Sequence, residues 1–179
     1  MIAGAVAGTA SFVEEVNRLM RLWGQAIDPH AAWLVDRGMR TLAVRMERHN
    51  SNGMAVAQWA EQHPGIAKVH YPGLPSHPDH AHAKSALAGF GGMVGLEIKG
   101  GAKATERLLK RLKLVTHAPS LAGVETLVSE PRLTSHKSIG PEGRAKIGIP
   151  DGFLRLSCGI EDAADIIADL EQGLKGSER

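Results

Sequence analysis

The stretch F-L-R-L-S-C-G-I-E-D at Phe153–Asp162 combines a short β-strand with the start of a helix. Its first half, Phe153–Ser157, has the length and the apolar content of a strand. Asp162 opens a helix that is predicted to reach Leu174, because apolar side chains follow at helical spacing, namely Ala164, Ile166, Ile167 and Leu170. A strand followed closely by a helix predicts a sheet that is covered by helices.

The same alternation of short strands and helices extends back to about residue 64. The pattern predicts strands at Val69–Tyr71, Met93–Ile98 and Leu114–Thr116. An amphipathic helix is predicted at Ala102–Leu112. The stretch Glu130–Pro150 is interrupted by prolines and glycines and is predicted to be mostly loop. These elements indicate an α/β or α+β unit with a small sheet.

The beginning of the chain is predicted to be almost entirely helical. Ser11 and Glu14 have the spacing of a capping box, and Gly24 is a natural end for the helix that follows. Asp28 can cap a second helix with Pro29 at its first position, where a missing N–H costs nothing. These signals predict the first two helices of the chain.

The second helix is predicted to bend around Asn50–Gly53, and a further helix through Trp59 is predicted to end before His63-Pro64. Ahead of the first helix, Ile2–Val6 resembles a buried strand, and a flexible apolar N-terminus is the alternative. A strand of that kind needs partners that this sequence does not supply. The change of character near residue 63 predicts two parts, residues 1–62 and residues 63–179.

Composition limits the classes of protein to which the chain can belong. Hydrophobic residues make up 43% of its 179 residues, which is enough for a folded core. The 21 basic and 19 acidic residues nearly balance to a net charge of +2, which gives no reason to expect nucleic acid. Cys158 is the only cysteine, so a reducing compartment is expected. No apolar run approaches the roughly 20 residues that span a bilayer, so we expect a soluble, cytoplasmic protein.

Arg155 is the first candidate for a ligand-binding side chain. In a strand it faces away from Leu154 and Leu156, so its guanidinium would project from the face opposite the core. A planar guanidinium can pair with a carboxylate through two parallel hydrogen bonds. The alternative is a surface arginine that forms a local salt bridge.

Ser120 is the second candidate, because the small residues Ala122 and Gly123 follow it and allow a ligand to approach the backbone. No histidine and aspartate accompany it in a triad order, and a turn-forming serine is the alternative. A metal site is a further hypothesis, and its ligands would be His70, His77, His80 and His82. Prolines interrupt this stretch, so it is predicted to be a loop in which the histidine side chains are solvated. Cys158 is interpreted as a packing residue.

Several motifs occur in an order that resembles one enzyme family. A-W-L-V-D-R-G-M-R-T-L at Ala32–Leu42, Y-P-G-L at Tyr71–Leu74 and G-F-G-G-M at Gly89–Met93 resemble three of its motifs. S-L-A-G-V-E-T-L at Ser120–Leu127 and R-L-S-C-G-I-E-D at Arg155–Asp162 resemble two more. Together they are similar to the cysteine/methionine metabolism (trans-sulfuration) family, which includes cystathionine γ-synthase, cystathionine lyases and methionine γ-lyase.

The resemblance implies an α/β architecture of fold type I, like that of aspartate aminotransferase. Residues 1–62 would form the end of the large cofactor-binding domain, and residues 63–179 the small C-terminal domain with a largely antiparallel sheet. It also implies pyridoxal 5'-phosphate as cofactor and carbon–sulfur lyase or γ-replacement chemistry on cystathionine, methionine or homoserine esters. The intact enzyme is expected to be a homo-oligomer, either a dimer or a tetramer.

The resemblance also assigns expected roles to individual residues. Arg155 would clamp the α-carboxylate of a small sulfur amino acid, and Ser120 would help to hold it. Pro119, Leu121 and Ser135 are expected to line the active site. No metal is implied.

The chain departs from the family pattern in two ways. The Schiff-base lysine and most cofactor-binding residues of the family are expected to precede this chain, whose first lysine is Lys68. We therefore expect the chain alone to be inactive, as a truncated remnant or as one half of a split enzyme with a separate N-terminal half. Pro119 replaces a glutamate that many cystathionine-specific relatives have there, which puts specificity for cystathionine in question.

Overall fold

The computed structural model describes residues 2–175 and divides the chain into two compact units, Met1–Val44 and Arg45–Arg179. Its elements, in chain order, are α1 (Ala10–Trp23), α2 (Pro29–Met39), α3 (Leu42–Gln62), β1 (Ile66–His70), α4 (His80–Ala86), β2 (Met93–Ile98), α5 (Gly101–Leu109), β3 (Thr116–His117), β4 (Leu127–Ser129), α6 (Gly140–Lys146), β5 (Phe153–Ser157) and α7 (Ala163–Leu174). The predicted division at residue 62 concerns the domains of an intact enzyme and stays a prediction.

The first unit consists of helices with short connections. α1 is capped by Thr9, whose side chain accepts a hydrogen bond from the backbone N–H of Phe12, so the predicted cap at Ser11 is wrong by two residues. Gly24 ends the helix in the left-handed conformation, with φ of 70°, as predicted. The predicted strand at Ile2–Val6 is wrong, because residues 2–9 form neither helix nor strand and Ile2 is 96% exposed.

α2 begins as the sequence predicts. Asp28 caps it by accepting a hydrogen bond from the N–H of Ala31, and Pro29 occupies the first turn. Neither α1 nor α2 contains a buried residue. The part of the first unit that these helices form therefore presents its apolar side chains to the surroundings.

α3 shows no break at the predicted bend around Asn50–Gly53, and the helices are instead interrupted at Arg40 and Thr41. The glycine that suggested a bend serves a close approach. A Cβ atom on Gly53 would lie 2.5 Å from the carbonyl oxygen of Gly91, so only glycine lets α3 pack against that chain segment. Gly53 is therefore needed for close packing of α3 and does not bend the helix.

The second unit contains one five-stranded sheet with the order β1-β2-β5-β4-β3. Its neighbouring strands run antiparallel except for β3 and β4, which confirms the expected, largely antiparallel sheet. The strands predicted at Met93–Ile98 and Phe153–Ser157 are confirmed residue for residue. The strand predicted at Leu114–Thr116 lies instead at Thr116–His117, and β4 was not predicted.

Two short helices lie where loops were predicted. α4 covers part of the histidine-containing stretch, and α6 lies within the stretch 130–150. Pro141 occupies the first turn of α6, and Pro78 lies two residues before the first residue of α4, His80. Proline is compatible with the first turn of a helix, so these prolines mark helix starts as well as chain breaks.

One face of the sheet forms the core. The register aligns Val94, Leu156 and Val128 across three adjacent strands, and none of the three is more than 1% exposed. They belong to one apolar cluster with residues of α5 and α7, including Leu108 and Ile166. Side chains at the next position along each strand must therefore lie on the opposite face, where the functional candidates are found.

Asp169 attaches α7 to the segment that leads into β3. Its buried carboxylate accepts hydrogen bonds from the backbone N–H groups of Lys113, Leu114 and Val115, at 2.9 to 3.1 Å, and from the side chain of Gln172. Burial acts to raise the pKa of this carboxyl group, but the four donors outweigh it and hold the pKa below its ordinary value.

We expect Asp169→Asn to lower the free energy of unfolding by about 1–3 kcal/mol, because an amide cannot accept from all of these donors. The folded-state pKa lies below the unfolded value, so the carboxylate stabilises the fold above about pH 4. That contribution is lost as the pH falls through the folded-state pKa. Urea unfolding from pH 7 downward should show the wild type converging on the variant. Asp165→Asn, an exposed change on the same helix, is the control and should lose less.

Ala122 is the one non-glycine residue with positive φ in residues 2–175, at 62°. This conformation costs a residue with a Cβ about 1–2 kcal/mol, and the greater freedom of glycine in the unfolded chain offsets about 0.4–1 kcal/mol of the gain. We expect Ala122→Gly to raise the free energy of unfolding by roughly 0.5 kcal/mol. Ala145→Gly, in α6, should lower it. Equal losses in urea unfolding for both variants would contradict strain at Ala122.

Candidate functional site

Arg155 projects from β5 on the face opposite the core, as its position in the strand predicts. Leu154 and Leu156 on either side are fully buried, whereas Arg155 is partly exposed. Its Nη2 donates hydrogen bonds to the backbone carbonyls of Pro119 at 2.7 Å and Ser120 at 3.3 Å. Within residues 2–175 no carboxylate pairs with it, so the alternative of a local salt bridge is wrong.

The guanidinium of Arg155 keeps hydrogen-bonding capacity that the described part of the chain does not use. Its Nε is enclosed and has no acceptor, although a guanidinium carries five N–H donors. A buried donor without a partner costs about 1–3 kcal/mol. An acceptor from outside residues 2–175 would remove this cost.

A cavity of about 350 Å³ lies beside Arg155. It is lined by His70, Met93, Val94, Gly95, Pro131, Ser135, His136, Ile149, Phe153 and Arg155. None of these lining residues is an aspartate, glutamate or lysine, so Arg155 carries the only permanent charge. The cavity therefore favours an anionic group near the guanidinium and apolar groups further away.

Small residues beside Arg155 make room for this cavity. Gly95 on β2 and Ser129 on β4 are the register partners of Arg155. A Cβ atom on Gly95 would lie 2.8 Å from the ring of Phe153 and 3.1 Å from Cβ of His70, so only glycine leaves space for both rings. His70 is held by Glu97, whose carboxylate oxygen lies 2.6 Å from Nε2.

The structure separates the five predicted site residues into three groups. Arg155 and Ser135 line the same cavity, and the hydroxyl of Ser135 lies 2.8 Å from Nδ1 of His136. Pro119 and Ser120 do not line it and instead offer their carbonyls to Arg155. Leu121 is half exposed and also lies outside the cavity lining.

The loop that contains Pro119 and Ser120 is attached to the segment after β5 by side chains. Ser157 Oγ accepts from the N–H of Ala122 at 2.9 Å. Further along, Thr126 is fully buried and bonded to Glu161 and Gly159. Sequence reasoning did not single out Thr126 or Glu161, although both lie inside the two motifs that carried the resemblance. The sequence offered one signal for them: Thr126 and Glu161 are polar residues that lie among apolar ones, each in a different motif.

Helix α3 supports the same segment from a third direction. Asn52 donates from Nδ2 to the carbonyls of Gly159 at 2.9 Å and Glu161 at 2.8 Å. The ring N–H of His49 donates to the carbonyl of Cys158 at 2.7 Å. Histidine and asparagine side chains thus replace the backbone partners that the chain loses where β5 ends.

The remaining candidates have structural surroundings. Burial raises the pKa of the Cys158 thiol to about 12, so it stays protonated and packs as an apolar side chain, as interpreted. His80 lies in α4, stacks on Phe90 and contacts the carbonyl of Pro72, so the prediction of a solvated loop there is wrong. Residues 2–175 contain no cluster of three histidine, cysteine, aspartate or glutamate side chains suited to a metal, and no helix in that range could cross a membrane.

The chain is similar to characterised proteins over nearly its whole length. Residues 1–175 match the family model described as Cys/Met metabolism PLP-dependent enzyme. Cystathionine beta-lyase from Coxiella burnetii is 45% identical over 169 residues, which cover 94% of this chain and 44% of that protein. L-methionine gamma-lyase from Porphyromonas gingivalis is 42% identical, over 97% of this chain and 44% of the relative.

A solved structure agrees with these relationships. Cystathionine gamma synthase from Xanthomonas oryzae pv. oryzae, in complex with aminoacrylate and cysteine, superposes with a TM-score of 0.90 at 39% identity. The match covers 97% of this chain and 45% of that one, so the chain spans less than half the length of the proteins it resembles. The chain belongs to the family of PLP-dependent enzymes of cysteine and methionine metabolism.

Proposed function

We propose that this chain supplies the site for the substrate α-carboxylate in a PLP-dependent enzyme that cleaves or replaces the side-chain substituent of a sulfur amino acid. The observation that carries the proposal is Arg155, which lines a cavity without a carboxylate and whose Nε has no acceptor within residues 2–175. The chemistry is that of the family, and the clamp is what these residues contribute to it.

Arg155 is held in one orientation before any ligand binds. Its Nη2 is fixed by the carbonyls of Pro119 and Ser120, so little side-chain freedom remains to be lost when a carboxylate binds. A carboxylate that accepts from the remaining N–H donors of this guanidinium is held in one direction relative to Cα. The clamp therefore contributes mainly to the orientation of the reacting bonds. The hydroxyls of Ser120 and Ser135 are proposed as additional donors, and Pro119 and Leu121 as neighbouring surface.

The family implies pyridoxal 5'-phosphate as cofactor, which supplies an electron sink when bound. The described residues do not fit the covalent attachment of that cofactor near Arg155, because no lysine lines its cavity. We propose that the Schiff-base lysine and the phosphate ligands come from a chain segment outside residues 2–175. The chain by itself is then inactive in the family reaction.

The surroundings of Arg155 favour some substrates of the family over others. A carboxylate is the strongest partner for a distal ammonium group, and Pro119 cannot supply one. The cavity offers none either, since Glu97 is engaged by His70 and is not part of its lining. This supports methionine or a homoserine ester over cystathionine as the substrate.

The first unit supports a proposal about partners. Its helices contain no buried residue, and four of its largest apolar side chains are more than half exposed: Phe12, Leu22, Trp23 and Trp33. Exposed apolar surface of this kind marks contacts with other polypeptide. We propose that a separate N-terminal half or a second subunit of a homo-oligomer covers it. The cytoplasmic location stays a prediction.

Binding of L-methionine to the full chain tests the clamp. We expect the Nε–H resonance of Arg155 to shift saturably in ¹H–¹⁵N spectra with L-methionine, because the carboxylate supplies the missing acceptor. L-Methioninamide, which has the same side chain and no carboxylate, should leave that resonance in place. Equal shifts with both compounds, or no shift with either, would contradict the proposed function.

Substitution of the arginine gives a second readout of the same site. Arg155→Lys should weaken L-methionine binding roughly 10- to 100-fold, because lysine lacks the planar fork and about 1.5–3 kcal/mol of charged hydrogen bonding is lost. Arg111→Lys, at an exposed arginine just after α5, is the matched control and should bind as the wild type does. Unchanged affinity in Arg155→Lys would place the ligand elsewhere.

Cofactor attachment tests whether the chain alone can be the enzyme. We expect the full chain, mixed with one equivalent of pyridoxal 5'-phosphate and reduced with borohydride, to carry label spread thinly over its exposed lysines. Peptide mapping of the native and the urea-denatured chain should give the same distribution, because no lysine has a specific site. Stoichiometric label at one lysine of the native chain alone would overturn this expectation.

A further inference from the structure

The loop 119–126 is held by hydrogen bonds from the backbone and from side chains. Residues 118–126 belong to no helix or strand, and the loop surface is largely exposed. Towards the end of this loop, the N–H of Ile160 donates to the carbonyl of Val124 at 2.8 Å. Thr126, which is fully buried, then joins the loop to β4. The conformation of the loop therefore depends on how Thr126 is held.

A single carboxylate holds Thr126 at two points. Glu161 Oε1 accepts from the backbone N–H of Thr126 at 2.6 Å, and Oε2 accepts from its hydroxyl at 2.7 Å. The hydroxyl in turn accepts from the N–H of Gly159 at 2.8 Å, which fixes the direction in which it donates. Hydrogen bonds to an ionised acceptor are about twice as strong as neutral ones, and here they form a closed network.

Glu161 is itself held in place from a third element. Its carbonyl accepts from Asn52 of α3, which also binds the carbonyl of Gly159. The segment between Arg155 and Glu161 is therefore attached to α3 on one side and to the loop 119–126 on the other. Displacement of Thr126 would move the loop relative to the strand from which Arg155 projects.

The carbonyls that orient Arg155 belong to the same loop. Nη2 of Arg155 binds the oxygens of Pro119 and Ser120, and within residues 2–175 these are its only acceptors. We propose that Glu161, acting through Thr126, is a positioning residue for Arg155, because it keeps these two carbonyls where they orient the guanidinium for a carboxylate. The inference rests on the proposed carboxylate site and assigns a role in it to residues that touch no ligand.

A matched pair of substitutions at Thr126 tests the inference in the full chain. Thr126→Val keeps the shape of the side chain and removes the hydroxyl, so Gly159 N–H loses its acceptor and Glu161 loses a donor. We expect it to weaken L-methionine binding about tenfold, because Arg155 is then no longer held in the orientation that a carboxylate requires. Thr126→Ser retains the hydroxyl and should bind within about twofold of the wild type.

Glu161→Gln provides a second, independent disruption. An amide has an NH₂ group in place of one carboxylate oxygen, so one of the two donors of Thr126 loses the oxygen that it binds. We expect the same loss of affinity as for Thr126→Val, and no further loss when the two changes are combined, because both break one network. Additive losses in the double variant would show that the residues act separately and would overturn the inference.

A purely structural effect is separated from positioning by Asp169→Asn. That change destabilises the second unit at a site unrelated to the loop, so it should lower stability and leave L-methionine affinity unchanged. Thr126→Val should also shift or broaden the Nε–H resonance of Arg155 without any ligand, whereas Asp169→Asn should not. If Thr126→Val and Asp169→Asn changed that resonance equally, Thr126 would have only a role in stability and the inference would be overturned.

The outcomes also distinguish this inference from the proposed function. If the wild type does not discriminate L-methionine from its amide, the carboxylate site is wrong, and the ligand-free resonance of Arg155 still decides whether Thr126 positions it. If the wild type discriminates and Thr126→Val binds equally well with an unchanged resonance, the site stands and the positioning role is overturned.

Discussion

The alternation of side chains along β5 is the constraint on which the rest of the structure depends. β5 is the third of five strands in the sheet order, so it has a neighbour on each side. Leu154 and Leu156 point into the core shared with α5 and α7, and Arg155 must then point the other way. A shift of one residue in register would bury the guanidinium and expose both leucines, which makes the position of Arg155 as secure as the core itself.

This arrangement divides the site between a rigid strand and a loop. The guanidinium comes from the strand, but its orientation is set by the carbonyls of Pro119 and Ser120 in a segment without regular structure. A backbone of that kind has many conformations open to it unless side chains satisfy its N–H and C=O groups. Thr126 and Ser157 provide such satisfaction, and both are buried.

The sequence predicted the parts of the fold that follow local rules. Strands β2 and β5 were predicted with the correct first and last residues, because their apolar residues follow directly after glycine. The start of α2 was found because Asp28 and Pro29 form a cap that acts within one turn. The strand β4 was missed because its three residues are all buried and have no alternation to recognise.

The candidate site was predictable only in part, for a related reason. Arg155 could be identified from its strand and from the motif around it. Its cavity could not, because Ser135 and His136 come from one loop and His70 comes from an edge strand, far apart in the sequence. Gly53 was misread as a bend because the chain that approaches it, at Gly91, lies 38 residues further along. Contacts between distant segments leave no local signal in one sequence.

The contacts that prepare Arg155 all lie between Asn52 and Glu161. The acceptors of its Nη2, the network around Thr126 and the support from Asn52 involve no residue of the first unit. The proposed carboxylate site would then be oriented without the segment that we propose to carry the cofactor lysine. The first unit, in contrast, has two helices, α1 and α2, without a buried residue. The proposed carboxylate site therefore belongs to the second unit, and the proposed partner surface belongs to the first.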